Sequence, residues 1–211
     1  MTRADHSAEP LPVICVLGAF SSGTSAIAGY IAKAGAYSCP PHFVLNDPRA
    51  PHSLAPVELR RQCCAVIDER TLRKTGDLAA FERWLSQWLR DQSAQARAAG
   101  CHHLVIKHPL LMALVPSIAR TCNAQWVMVT RPLSQIEQTR NRRRWHPALG
   151  EQGAKALYPL AFSSLVALEQ TYLTVSFPAF RRAPAMRASL LQWLDLSPDA
   201  ARLEAAEAWM R

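Results

Sequence analysis

The chain has 211 residues, 49% of them apolar, and a formal net charge of +8. No stretch approaches the ~20 apolar residues of a membrane span, and residues 1–10 are polar, without the features of a secretory leader. The length favours one α/β domain over 11–211 behind a disordered leader at 1–10, with roughly 70% of the unfolded surface open to burial and a basic balance that suits an acidic ligand.

Pro12 to Leu17 is apolar and β-branched, the pattern of a buried strand. Gly18-Ala19-Phe20-Ser21-Ser22-Gly23-Thr24-Ser25 follows. Behind it Ile27, Tyr30, Ile31 and Ala34 fall on one helical stripe, and Gly35 stands where a helix ends. Strand, glycine-bounded loop and helix in that order make an anion site, because backbone N–H groups and the helix N-terminus face the ligand. The spacing is that of G-x-x-x-x-G-K-[ST], with Thr24 in place of the lysine. An ordinary Gly/Ser-rich turn is the plain alternative.

Cys39 to Pro56 carries Pro40, Pro41, Pro48, Pro51 and Pro56 and no periodicity, so it reads as a loop long enough to be functional. Leu59, Cys63, Val66 and Ile67 form a helical stripe. Leu78, Phe81, Leu85, Trp88 and Leu89 form another, with Asp77 as N-cap and Gly100 as terminator. Trp84 and Trp88 read as core packing. Further strands are expected at His103–Lys107, Gln125–Thr130 and Tyr172–Phe177. Helices are expected at Leu110–Arg120, Leu133–Arg144, Pro159–Gln170, Met186–Leu194 and Pro198–Met210. Such alternation implies an α/β fold, three layers deep, with a parallel sheet flanked by helices.

The six cysteines form no C-x-x-C pair, so a reduced, cytoplasmic protein is the default. Cys15 lies in a central strand as a small hydrophobe. Cys101-His102-His103 lacks the further ligands a structural metal site needs, and no metal is expected.

In doubly wound sheets ligands collect at the carboxyl ends of strands. The second long strand ends in Lys107-His108-Pro109. The third ends in Thr130-Arg131-Pro132 and opens a helix with Thr139 and Arg140. A phosphate loop, two cations and an imidazole thus share one edge. The run Arg140 to Trp145 reads as a solvated helix end rather than a nucleic-acid contact.

These segments resemble the sulfotransferases that use 3′-phosphoadenosine 5′-phosphosulfate (PAPS). Residues 18–25 are similar to that family's 5′-phosphosulfate loop. Val127-Met128-Val129-Thr130-Arg131-Pro132, running to Thr139, is similar to its 3′-phosphate segment. Leu104 to Pro109 is similar to its middle strand, residues 35–58 with Asn46-Asp47-Pro48 to the substrate loop of bacterial members, and Tyr172 to Leu196 to the terminal strand-loop-helix.

The resemblance implies a three-layer P-loop-type fold and sulfuryl transfer from PAPS to a hydroxyl or amine acceptor, a small molecule or carbohydrate, without a metal. It assigns donor binding to Ser21, Ser22, Gly23, Thr24, Ser25, Arg131 and Thr139. Lys107 neutralises charge on the transferring group, and His108 takes the acceptor's proton. His42, Asp47 and His52 are the reserve bases. Two departures stand out. Ser21 occupies the place of a basic residue, which Arg140 or Arg143 must then supply. Pro132 follows Arg131 directly, and Thr130 takes the place of a first arginine. Two other readings stay open. One is a non-catalytic nucleotide- or anion-binding module, which Ser21 favours. The other is a P-loop kinase or NTPase, whose Mg²⁺ carboxylate could only be Asp68, at the end of Ala65-Val66-Ile67.

Overall fold

A computed structural model describes residues 9–47 and 52–210. The expected leader over 1–10 therefore falls almost wholly outside the described residues. The core is a four-stranded parallel sheet in the order β4-β1-β5-β6, from strands β1 (Val13–Leu17), β4 (Leu104–Lys107), β5 (Ala124–Thr130) and β6 (Tyr172–Ser176). All four strands agree with the sequence reading to within a residue. β1 lies between β4 and β5, and every residue of it is completely buried. That burial on both faces is why the segment reads as unbroken aliphatic sequence.

The two faces of the sheet are covered by different helices. Val13, Cys15, Leu17, Trp126 and Met128 pack with α2 (Val57–Val66), α3 (Leu78–Ala98), α4 (Val115–Thr121) and α6 (Glu151–Ala167). Ile14, Val16, Val127 and Val129 pack with α1 (Thr24–Lys33), α8 (Pro184–Trp193) and α9 (Ala200–Trp209). The three-layer arrangement is thus present. Trp84 stacks on Trp88 at 5.4 Å against the first of these cores, as expected.

The local signals read at the start of α3 and the end of α1 hold. Asp77 accepts hydrogen bonds from the N–H groups of Ala79 at 2.8 Å and Ala80 at 3.1 Å, capping α3. Gly35 leaves α1 with a φ of 120°. Three readings need correction. The expected helix from Leu110 is a 3-10 turn (Pro109–Ala113) followed by α4, since Pro116 lacks the N–H to continue one helix through the junction. α6 begins at Glu151 and carries Pro159 inside it, so that proline did not mark a start. The proline-rich loop contains an antiparallel hairpin, β2 (His42–Val44) with β3 (His52–Pro56), stitched by the Ser53 hydroxyl donating to the Phe43 carbonyl. Its pairing is long-range and leaves no period in three to five residues. Two further helices went unread in part: α5 (Leu133–Arg143) ends one residue early, and α7 (Phe177–Arg182) starts directly at the end of β6.

Register decides where the chemistry meets. Val16 of β1 sits beside Lys107 of β4, and Leu17 beside Met128 of β5. The residues that follow these three strands therefore emerge side by side at one edge. Trp126, fully buried at the centre of this framework, donates from its indole to Gln170 Oε1 at 3.1 Å. Trp126→Ala should cost about 3–5 kcal/mol, read as a lower urea midpoint at unchanged m-value.

Candidate active site

The loop after β1 is shaped by close approach. A Cβ on Gly23 would meet the ring of Phe177, and its φ of 100° is left-handed, so only glycine fits. Ser21 also takes a left-handed φ, 65°, and the Arg131 guanidinium donates to its carbonyl at 2.9 Å. α1 has no side chain capping its N-terminus, so its first N–H groups face outward. This is an anion cradle with the helix dipole behind it.

A cavity of about 600 Å³ opens on that cradle. Ser21, Gly23, Thr24, Ser25, Lys107, His108, Arg131 and Thr139 all line it. Ser22 alone of the expected set does not, being fully buried beneath the loop. Lys107 Nζ lies 3.2 Å from Ser25 Oγ and donates to the Ser53 carbonyl at 3.1 Å. Arg131 also reaches Thr139 Oγ1 at 3.3 Å, so the direct Arg131-Pro132 step leaves this pair together.

Electrostatics make the cavity hungry for an anion. Burial, and then the charge of Arg143, pulls Lys107 down to about 7. Burial lowers Arg131 too, helped by Arg143, Arg181 and Arg142. His108 is pushed well below the ordinary imidazole range by burial, Lys107 and Arg60. Like charges have been gathered here at the expense of their own solvation.

Several residues missed by the sequence reading belong to this wall: Phe20, Phe43, Arg60, Glu69, Arg142 and Arg181 among them. Phe177 and Arg181 follow a strand end and were open to the rule that found Arg131. Arg60 and Glu69 come from α2 and the turn after it, where no strand end points to them. The Arg140–Trp145 run is more than a solvated end. Arg142 and Arg143 clamp the buried Asp47 at 3.0 and 2.6 Å and line the cavity. Arg140 turns instead to Glu137 and the Trp145 carbonyl, so Arg143 is the cation near the loop.

Other expectations change. Thr130 reaches toward the Val175 carbonyl at 3.5 Å, away from the cavity. His42 bonds to the Ser38 carbonyl at 2.8 Å, and His52 lies against Trp209, so neither reserve base faces the cavity. Asp47 is held by its two arginines. Asp68 caps an exposed turn, accepting from Thr71 N at 2.6 Å and Arg70 N at 3.0 Å, and α2 rather than a strand precedes it. It lies off the cavity wall, so Asp68 does not stand where an NTPase carboxylate would be needed. His108 also departs from its expected role. Leu110 N–H donates to its Nδ1 at 3.3 Å, so the neutral ring carries its hydrogen on Nε2 and that nitrogen cannot accept a proton.

Cys64, Glu69 and His108 bring possible ligand atoms within 4.8 Å of one another. Two of these donors are already committed. The His108 Nε2 carries hydrogen, and Arg60 donates to both Glu69 oxygens at 3.3 Å.

Three solved structures that share this fold are sulfotransferases. The sulfotransferase domain of the olefin synthase from Synechococcus PCC 7002 aligns with 97% of this chain and 80% of its own, at TM-score 0.56 and 18% identity. Sulfotransferase STF9 from Mycobacterium avium aligns with 96% of this chain and 68% of its own, at 0.63 and 13%. Sulfotransferase STF1 from Mycobacterium tuberculosis H37Rv covers 94% and 71%, at 0.55 and 13%. The fold is the sulfotransferase fold. No family model and no curated protein matches the chain. Among the described residues no helix is long and apolar enough to cross a membrane.

On this sulfotransferase scaffold Lys107 sets a test of the site. A lysine lowered in the folded state binds fewer protons there than when unfolded, so its penalty is full below about pH 7 and fades as pH rises toward its ordinary value. Lys107→Met should therefore raise the melting temperature of the ligand-free protein at pH 6. That advantage should shrink by pH 9, and anion affinity should fall at both.

Proposed function

We propose that this chain is a PAPS-dependent sulfotransferase. The observation that carries the reading is the buried, charge-crowded amine of Lys107 beside an uncapped helix N-terminus, with Arg131 and Thr139 paired across the loop. Such a set fits a ligand with two separated anionic groups. The α1 N-terminus with Thr24 and Ser25 would hold the 5′-phosphosulfate, while Arg131 and Thr139 would hold the 3′-phosphate. PAPS supplies an activated sulfuryl group with a bisphosphate leaving group. Preorganised donors and fixed cations acting on developing charge are commonly the largest part of such catalysis.

The place of the family's basic residue at Ser21 is served in this reading by Arg143, which faces the same cavity. A binding module without catalysis rests on that same substitution. Ser21→Arg separates the two, since a binding module gains donor affinity and no turnover.

Adenosine 3′,5′-bisphosphate should stabilise the protein more than ADP in a thermal-shift titration. At a hundred times the dissociation constant the gain is about 2.7 kcal/mol. Arg131→Ala should erase the preference and leave the fold intact, because it removes the charge-assisted hydrogen bonds to the 3′-phosphate, along with the one to the Ser21 carbonyl. Equal stabilisation by ADP overturns the assignment. The fixed cations make the bisphosphate's binding insensitive to EDTA, and strict dependence on Mg²⁺ returns the kinase reading.

A further inference from the structure

This inference rests on the sulfuryl-transfer reading and concerns where the acceptor's proton goes. His108 is committed at one nitrogen. Its Nδ1 accepts from Leu110, and its hydrogen-bearing Nε2 lies 3.8 Å from Glu69 Oε1. Lys107 and Arg60 add positive charge around a ring only 3% exposed, which holds it neutral. A neutral ring with its Nδ1 occupied and its hydrogen on Nε2 has no lone pair left to take up a proton.

Glu69 is the sole carboxylate among the described residues lining the cavity. Arg60 braces both its oxygens at 3.3 Å, so the group is held in one orientation while its side chain stays 26% exposed. Beyond Arg60, Cys64 and His108, aromatic rings stand on the same wall. The ring of Phe20 stands edge-on to His108 at 6.2 Å. The Arg60 guanidinium lies over the Phe43 ring at 4.4 Å. Phe20 belongs to the phosphate loop, so an acceptor beside it adjoins the donor. Phe43 stands at the rim, with Val44 and Val57 exposed next to it. Leu45 and Leu149 also face the cavity. Phe20, Phe43, Leu45 and Leu149 give this part of the cavity apolar area against which an acceptor's body can pack.

We infer that Glu69, rather than His108, is the group that takes the proton from the acceptor, and that the acceptor is an apolar compound bearing a hydroxyl. The hydroxyl oxygen forms the new O–S bond as its proton passes to a Glu69 carboxylate oxygen. The S–O bond to the donor's phosphate breaks, and its electron pair leaves on adenosine 3′,5′-bisphosphate.

The first measurement is calorimetric, with protein saturated in adenosine 3′,5′-bisphosphate and titrated with 2-naphthol, 1-octanol or glucose. 2-Naphthol or 1-octanol should bind and glucose should not. Phe43→Ala should weaken the apolar probe by roughly tenfold at unchanged affinity for the bisphosphate. Binding of glucose alone, or of none of the three, overturns the acceptor class.

The second measurement is turnover of the bound alcohol. Glu69→Gln should lower kcat by roughly a hundredfold or more and leave both binding constants unchanged. Glu69→Asp should recover part of the rate. His108→Asn, whose amide oxygen can still accept from Leu110, should keep kcat within about tenfold of wild type. Wild-type kcat in Glu69→Gln, a His108→Asn defect as deep as that of Glu69→Gln, or a wild type that binds the alcohol without transfer overturns the role of Glu69. Failure of the bisphosphate itself to bind is a different result, and it overturns the sulfuryl-transfer reading beneath.

Discussion

A buried amine with too few negative neighbours governs this molecule. Lys107 closes β4 in register with Val16, 6% exposed, and its nearest partners are a hydroxyl and a carbonyl rather than a carboxylate. Such a charge is costly in a low-dielectric interior unless an anion arrives. The chain adds to that cost by bringing Arg131 and Arg143 to the same edge. Under the proposed function this is a site prepared for an anionic ligand, since preorganised cations need no rearrangement when charge shifts during reaction.

The rest of the fold supports that one strained edge. A central strand buried on both faces, with separate helical layers on either side, supplies the apolar burial that offsets the clustered charge. Polar groups elsewhere are paired in the usual way. Arg187 is held by Glu207 at 2.7 Å, and the Trp209 indole donates to the Ala26 carbonyl at 2.9 Å, docking the last helix onto the phosphate-loop helix. Asp47 ties the hairpin loop to α5 through Arg142 and Arg143, which moderates the positive field without placing a carboxylate on the cavity wall. The field therefore stays graded. It is strongly positive around the loop and Arg131, and carries one carboxylate where Phe20 and Phe43 make the wall apolar.

The parallel strands and the phosphate loop were legible from the sequence because each depends on near neighbours. A buried strand needs consecutive aliphatic residues, a left-handed turn needs Gly23, and an amphipathic helix needs its stripe at Ile27, Tyr30 and Ile31. Lys107, Arg131 and Thr139 were legible by one further step, the rule that ligands gather at strand carboxyl ends. The hairpin and the break at Pro109–Ala113 were not. Two- and three-residue pairings carry no period, and a proline at an expected helix start is equally compatible with a turn or, as Pro159 illustrates, with a helix interior.

What the sequence by itself determined is the scaffold and the donor edge, since both follow from local periodicity, glycine conformations and the order of strands and helices. What only the tertiary structure decided is the opposite wall. Arg60 and Glu69 arrive there because α2 packs against the sheet face formed by Cys15 and Leu17, and Phe43 because the hairpin folds back over the loop. The hydrogen bonding of His108 was decided there as well. Its type and position suggest a base, but the Leu110 N–H occupies Nδ1, and which nitrogen of an imidazole carries hydrogen is set by its partners in space rather than by its neighbours in the chain.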